Sequence, residues 1–238
     1  MSSTTVWPTQ ITLAGQAAAP EGPLDLWMMY VTHHAYRRDL AKFCAAAERT
    51  PVGDRKTWRA LLARWELFGL ALHHHHHAED VALWPLLTER TDPTGRQVLA
   101  DMEAEHAGID PILQSVTEGL TRLAAGADDD VHAALVVRLV AGRESLGRHL
   151  AHEETEAITL MQQVMTEAEW RQMQDEHFKP DKVTLVMLQN MLPWTIDGVP
   201  AAVRERLLGD VPGGRLIWRL SRPGYERRER RAFRFAAG

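Results

Sequence analysis

The sequence predicts an all-α protein: an up-down-up-down four-helix bundle followed by a short helical C-terminal extension. Two observations carry this. Four successive stretches repeat apolar residues every three or four positions, the spacing of amphipathic helices. Loops of only a few residues join them, so neighbours pack most simply as antiparallel pairs, and an alternating strand pattern is almost absent before residue 165.

Residues 1–23 are rich in Ser, Thr, Ala, Pro and Gly without periodicity and read as a flexible leader. The bundle is expected over residues 24–165. Its first helix runs from about Pro23 to Glu48, with Leu26, Met29 or Tyr30, His33, Leu40 and Phe43 on one face, and Thr50-Pro51-Val52-Gly53-Asp54 ends it. The second begins near an Asp54 cap and runs to about Glu89 with Leu61, Trp65, Phe68, Leu72, His75, Glu79, Leu83 and Leu86. Pro85 is expected to kink it or to set its last turn apart.

The third follows Asp92-Pro93-Thr94-Gly95 and carries Met102, His106, Ile109, Leu113, Val116 and Leu120, with Pro111 as an expected irregularity. After the loop at 125–130, the fourth passes through Leu135, Leu139, Leu146, His149, Glu153 and Ile158 to about Met165. Residues 166–238 form the extension. Glu167–Phe178 and Lys182–Met191 read as shorter helices, then a Pro- and Gly-punctuated stretch leads to an end with eight arginines and two acids.

The chain of 238 residues has a net charge of −5, which favours neither nucleic acid nor an anionic membrane as a partner of the whole protein. Its single cysteine, Cys44, excludes an intramolecular disulfide and a cysteine-rich metal site. Cys44 reads as a small buried hydrophobe. The N-terminus lacks the basic start and apolar core of a signal peptide, and no run is apolar over the roughly 20 residues that span a bilayer. A cytoplasmic protein is the expectation.

Each apolar stripe is interrupted by a polar, metal-competent side chain. In order these are His33, the pair His75 and Glu79, His106, and the pair His149 and Glu153. Members of each pair are four apart, so a helix places them on one face, about 6 Å from each other. His75 lies in the run His73-His74-His75-His76-His77, of which His73 and His77 are expected to face outward. His76 is ambiguous, because His76 and Asp80 repeat the same spacing. A lone buried histidine is ordinarily a hydrogen-bonded core residue, and a lone His-x-x-x-Glu pair is common on surfaces. Four helices each presenting such a residue at the core register are different. Buried carboxylates are costly unless satisfied, and a cation satisfies carboxylates and neutral imidazoles together. This donor set suits iron, manganese or zinc.

The stretches H33HAYRRDL, H75HHAEDVALWPLL, M102EAEHAGI and H149LAHEE resemble the hemerythrin-like, or HHE cation-binding, family over about residues 24–165. The resemblance implies a bundle holding a non-haem iron centre, commonly of two ions, bridged by carboxylates. It assigns His33, His106 and His149 as ligands, His75 as the terminal ligand of the second helix, and Glu79 and Glu153 as bridges. It implies oxygen, peroxide or nitric oxide as small-molecule partners. Oxygen carriers of the family place two histidines four apart on the third helix, whereas this chain has Met102. Glu103, Asp110 or water is then the candidate for the remaining position, and an open or oxygen-ligated position there suits reaction with peroxide, oxygen or nitric oxide. The carriers also space the fourth-helix pair by five, which keeps Glu154 open as an alternative to Glu153.

Other readings fit less well. Glu103-Ala-Glu-His106 matches one Glu-x-x-His motif of the ferritin-like di-iron proteins, but the fourth helix has Leu146 where the second such motif needs Glu. His-Glu-x-x-His is absent, as are phosphate-binding glycine loops and Gly-x-Ser-x-Gly. His132 and His177 read as surface residues. Trp65, Trp84, Met102 and Tyr36 read as packing around the ligands. The arginine-rich end reads as a solvated tail with Trp218 and Phe233 folding back. The functional classes left are a small-ligand binder or sensor, a di-iron oxidoreductase of the peroxide-decomposing type, and an interaction protein with a structural metal. The extension is a candidate lid or homo-oligomer contact.

Overall fold

A computed structural model describes residues 6–179 and 184–236; the start of the helix expected from Lys182 lies outside them. The protein is all-α, with no strand among the described residues. Helix α1 is Trp27–Arg49 and α2 is Arg55–Ala78. A widened turn, Glu79–Leu83, passes directly into α3, Trp84–Arg90, with Pro85 in its first turn. There the missing N–H of proline costs little. Helix α4, Pro93–Ala125, is continuous through Pro111, so the expected irregularity does not break it. Helix α5, Asp129–His152, passes through a second widened turn, Glu153–Ala157, into α6, Ile158–Val164.

Side-chain caps explain where these elements start. Asp54 Oδ1 accepts from Thr57 N, Asp92 Oδ1 from Gly95 N and Asp128 Oδ1 from Val131 N, each satisfying an amide the helix leaves unpaired. Gly126 ends α4 at φ +109°. Its N–H reaches Leu123 O, and Ala127 N–H reaches Arg122 O, a left-handed C-terminal cap that glycine adopts without strain. Thr166 and Glu169 form a reciprocal capping box at the start of α7, Glu167–Met173.

The chain divides into two compact units. The first comprises Met1–His34, His73–Ala107 and Gly147–Asp181. It contains the widened turns and every histidine singled out as a ligand. Its N-terminal segment is irregular, but it is tied down. Gln10 Nε2 donates to Leu24 O at 2.7 Å, Leu24 N to Gln162 Oε1 at 2.9 Å, and Ala17 N to Glu154 Oε2 at 2.7 Å. The buried Trp170 of α7 meets Phe178 edge-on at 5.5 Å, and Phe178 in turn meets the His75 ring at 5.8 Å.

The second unit comprises Ala35–Leu72, Gly108–Leu146 and Lys182–Gly238. An aromatic cluster forms its core: Phe43 lies edge-on to Trp65 at 5.0 Å, Trp65 stacks on Phe68 at 4.9 Å, and Tyr36 meets Phe68 at 5.8 Å. Such ring pairs add about 0.5–1.5 kcal/mol each beyond the area they bury. Tyr36 and Trp65 belong to this cluster. Trp84 and Met102 are buried within the first unit.

The punctuated C-terminal stretch is more helical than its composition suggests. It holds α8, Leu185–Ile196, α9, Ala201–Asp210, and α10, Gly214–Ala232. The arginine-rich end is therefore a helix. Its face buries Tyr225 and Ala232, and Phe233 beyond it packs on Phe43 at 5.1 Å. His132 also departs from expectation. It is half-buried, bonded to Ala47 O at 2.7 Å and edge-on to Trp58, whereas His177 is exposed.

Candidate metal centre

Two groups of buried side chains gather their donor atoms in the first unit. His33, His75 and Glu153 bring one ligand atom each within 4.8 Å of one another, and so do His76, His106 and His149. In the first group His33 Nε2 lies 3.3 Å from His75 Nε2 and 3.2 Å from Glu153 Oε2. In the second, His106 Nε2 lies 3.0 Å from His149 Nε2, and the His76 and His106 rings stack at 3.9 Å. Glu79 reaches toward both: Oε1 is 3.2 Å from His75 Nε2, and Oε2 is 3.6 Å from His106 Nε2.

The outer nitrogens of three of these rings are held by carboxylates. Glu154 Oε1 accepts from His33 Nδ1 at 2.9 Å, Asp80 Oδ1 from His106 Nδ1 at 2.7 Å, and Glu105 Oε2 from His149 Nδ1 at 2.9 Å. A proton fixed on Nδ1 leaves the Nε2 lone pair aimed inward, as a metal-binding imidazole requires. Glu105 also accepts from His152 Nδ1, which holds its carboxylate in place.

The backbone contributes through the widened turns at Glu79 and Glu153. The N–H of Trp84 bonds Glu79 O and the N–H of Ile158 bonds Glu153 O, each five residues back rather than four. An inserted residue of this kind re-aims the side chains around it, and such turns recur at functional sites. Here each begins at the inner carboxylate, and the residue after it, Asp80 or Glu154, orients an imidazole from another helix.

These donors are poorly satisfied by the protein itself. Both oxygens of Glu79, both oxygens of Glu153 and Nε2 of His76 are buried without a hydrogen-bond partner among the described residues. The proton affinities reflect the crowding. Burial and the adjacent Glu153 push the Glu79 carboxyl well above the usual range. Burial would also raise Glu153, but His33 beside it holds it far below. Burial would lower His33, yet Glu153 and Glu154 raise it to about 9. Burial, with His33 alongside, lowers His75 to about 3, and burial with His106 alongside depresses His76 strongly. A cation would replace this strained set of protonation states, because it satisfies the orphaned oxygens and the neutral imidazoles at once. The residues present therefore fit a metal.

The model of the hemerythrin HHE cation-binding domain matches residues 25–161. The chain belongs to that family. No curated protein and no solved structure matches it.

All six side chains that the sequence singles out in this HHE domain converge: His33, His75, Glu79, His106, His149 and Glu153. His76 joins them. Its ring stacks on His106 at 3.9 Å and meets His149 edge-on at 5.2 Å, whereas Met102, on the third helix of the bundle, is buried and offers no strong donor for the remaining place. Glu103 and Asp110, offered for that place, are exposed. Glu154, kept open against Glu153, sits behind His33 instead. In the sequence the only sign of His76 is its spacing to Asp80. Within a five-histidine run that spacing does not separate it from His75 and Glu79.

Proposed function

We propose that the protein binds a non-haem di-iron centre and uses it to bind or sense a small ligand: oxygen, nitric oxide or peroxide. One observation carries the reading: two triads of buried donors, His33/His75/Glu153 and His76/His106/His149, with the orphaned carboxylate of Glu79 reaching toward both. Five imidazoles and two carboxylates form a hard-to-borderline donor set without thiolate, which favours iron and accepts manganese or zinc. When bound, two iron ions supply reversible electron transfer to a diatomic or peroxidic ligand.

The chain's own residues have three tasks. Nε2 of each histidine anchors. Asp80, Glu105 and Glu154 hold three of the rings in the correct tautomer. Met102, Trp84 and Tyr30, buried in the same unit, support a site closed to water. A third imidazole in the second group, His76, supports ligand binding over a peroxide-decomposing oxidoreductase, because it is a further candidate donor where an open position would favour turnover.

Elemental analysis of tag-free protein, followed by visible spectra with oxygen, azide or nitric oxide, tests this. Two iron ions per chain and ligand-dependent charge-transfer bands are expected. Metal without any ligand response would leave a structural staple. Catalytic loss of peroxide, abolished in Glu79→Ala, would move the assignment to an enzyme. Among the described residues no helix is long and apolar enough to cross a membrane.

A further inference from the structure

Away from the histidines, within the second unit, α2, α8 and α10 enclose a cleft of about 460 Å³. That volume lies in the range small-molecule sites occupy, roughly 300–1,000 Å³. Four guanidinium groups line it, from Arg59, Arg64, Arg228 and Arg231, against one carboxylate, Glu229. Arg59 and Arg231 are exposed and make no ion pair or hydrogen bond among the described residues. Arg228 is braced by Asn190 Oδ1 at 2.9 Å.

Arg64 is held rigidly. It is 6% exposed, its Nη2 donates to Asp39 Oδ2 at 2.5 Å and its Nε to Glu229 Oε1 at 2.5 Å. Its Nη1 is buried with no partner. The one carboxylate on the cleft is thus committed, to Arg64 and to Lys42 at 3.2 Å, and does not neutralise the free arginines. Between the charges the walls are apolar, from Ala60, Ala63, Leu67 and the ring of Tyr225.

The geometry points to a binding site for a small organic anion, a single carboxylate or phosphoryl group carried on an apolar body, in the cleft between Arg59, Arg64 and Arg231. The guanidinium forks of Arg59 and Arg231 take the anionic group, because their planar donors match carboxylate and phosphate oxygens two at a time. The apolar body lies along Leu67 and the Tyr225 ring. Arg64, already paired with Asp39 and Glu229, adds a fixed wall to the cleft without a conformational cost and leaves the anion to Arg59 and Arg231. A bare inorganic anion would leave the apolar wall unused. A polyanion would engage the other exposed arginines of α10, such as Arg227, equally well.

The test is calorimetric titration of the full-length, metal-loaded chain with octanoate and phenyl phosphate, and with acetate and inorganic phosphate as partners lacking the apolar body. One saturable site per chain is expected for the two larger probes, with acetate and phosphate at least about tenfold weaker. Arg59→Gln with Arg231→Gln lowers that affinity about tenfold or more, while Arg227→Gln leaves it unchanged. Helix content by circular dichroism checks that the double variant is folded; should it not be, the two single variants are each expected to lose affinity. Four results overturn the proposal: no saturable binding of either larger probe, equal binding of inorganic phosphate, equal loss in Arg227→Gln, or binding confined to heparin or an acidic peptide at low salt.

Discussion

His106 donates from Nδ1 to Asp80 Oδ1 at 2.7 Å, across from the widened turn that Glu79 begins. His33 and Glu154 repeat the arrangement at the second such turn, at 2.9 Å. In both, two consecutive acidic residues divide the work: the first faces the imidazole Nε2 atoms, and the second fixes a ring from behind. Asp80→Asn and Glu154→Gln keep the size but present a group able to donate, which no longer demands a proton on Nδ1. Each variant is expected to weaken metal binding by about 10- to 100-fold, read by competition with a chelator of known affinity. Unchanged affinity in both would mean that the carboxylates serve packing alone.

Glu79 buries two oxygens without a hydrogen-bond partner among the described residues. Glu79→Gln removes a buried ionisable group, and its effect should therefore have opposite signs in the two states. The metal-free variant is expected to be more stable than the metal-free parent by about 1–3 kcal/mol, and the metal-loaded variant less stable than its parent. Chemical denaturation with and without metal measures both. Destabilisation of the metal-free form would show that Glu79 contributes to the fold in its own right.

Much of this was legible in the sequence, and the reasons it stopped short are local. Three-and-four spacing fixed the four long helices, because an apolar stripe has to face a core. The same spacing located His33, His75, His106 and His149, because they fall on that stripe. The widened turns at Glu79 and Glu153 leave no periodic trace, being one inserted residue each. So the choice between Glu153 and Glu154, and the entry of His76 beside His75, could not be made. Composition misled for Gly214–Ala232. Its arginines describe the exposed face of a helix, and the few residues that bury it, Tyr225 and Ala232, are too sparse to show as a stripe.

His76 and His77 are neighbours in sequence but differ in setting. His76 is buried against His106, whereas His77 is exposed and stacks on His73, at 6.1 Å. His76→Ala removes one of three imidazoles from the second triad, so about half the metal per chain is expected to be lost or readily chelated. His77→Ala should leave metal content unchanged in protein prepared without a tag or added metal. Equal losses in the two variants would mean that the surface run, rather than the buried triad, carries the metal.

The metal-free protein should be most stable near pH 6.5. His33 has its proton affinity raised to about 9, so its contribution is complete below the unfolded value near 6.5 and fades as pH rises toward 9. The raised carboxyl of Glu79 acts in the same direction, since ionising it in place becomes steadily costlier. His75 has the opposite sign. Lowered to about 3, it stays neutral while the unfolded chain takes up a proton, so stability falls as pH drops from 6.5 toward 3. His76 and His106, also lowered, reinforce this. Urea midpoints at pH 5, 6.5 and 8.5 read the two limbs, and saturating metal is expected to flatten the alkaline one. A midpoint rising steadily to pH 9 in the metal-free protein contradicts this assignment of signs.

Asp39, in the second unit, is fully buried and accepts from four nitrogens: Arg38 Nε at 3.0 Å, Arg38 Nη2 at 2.8 Å, Arg64 Nη2 at 2.5 Å and Trp194 Nε1 at 2.7 Å. Arg38 extends the network by donating to Trp194 O at 2.9 Å and to Asp197 O at 2.5 Å. The carboxylate thereby fastens α8 to α1 and α2. Removing it strands the buried Arg64 with Glu229 as its one remaining acid, and an uncompensated buried charge costs more than the pair contributed. Asp39→Ala is expected to destabilise by about 3–5 kcal/mol and to expose Trp194, seen as a red shift of its fluorescence. Asp39→Asn keeps two acceptor lone pairs and should lose less. The metal content of the folded fraction is expected to be unchanged in both, because Asp39 touches none of the seven donors. A loss of metal in parallel with stability would mean instead that the network at Asp39 and the histidine cluster fold as one cooperative element.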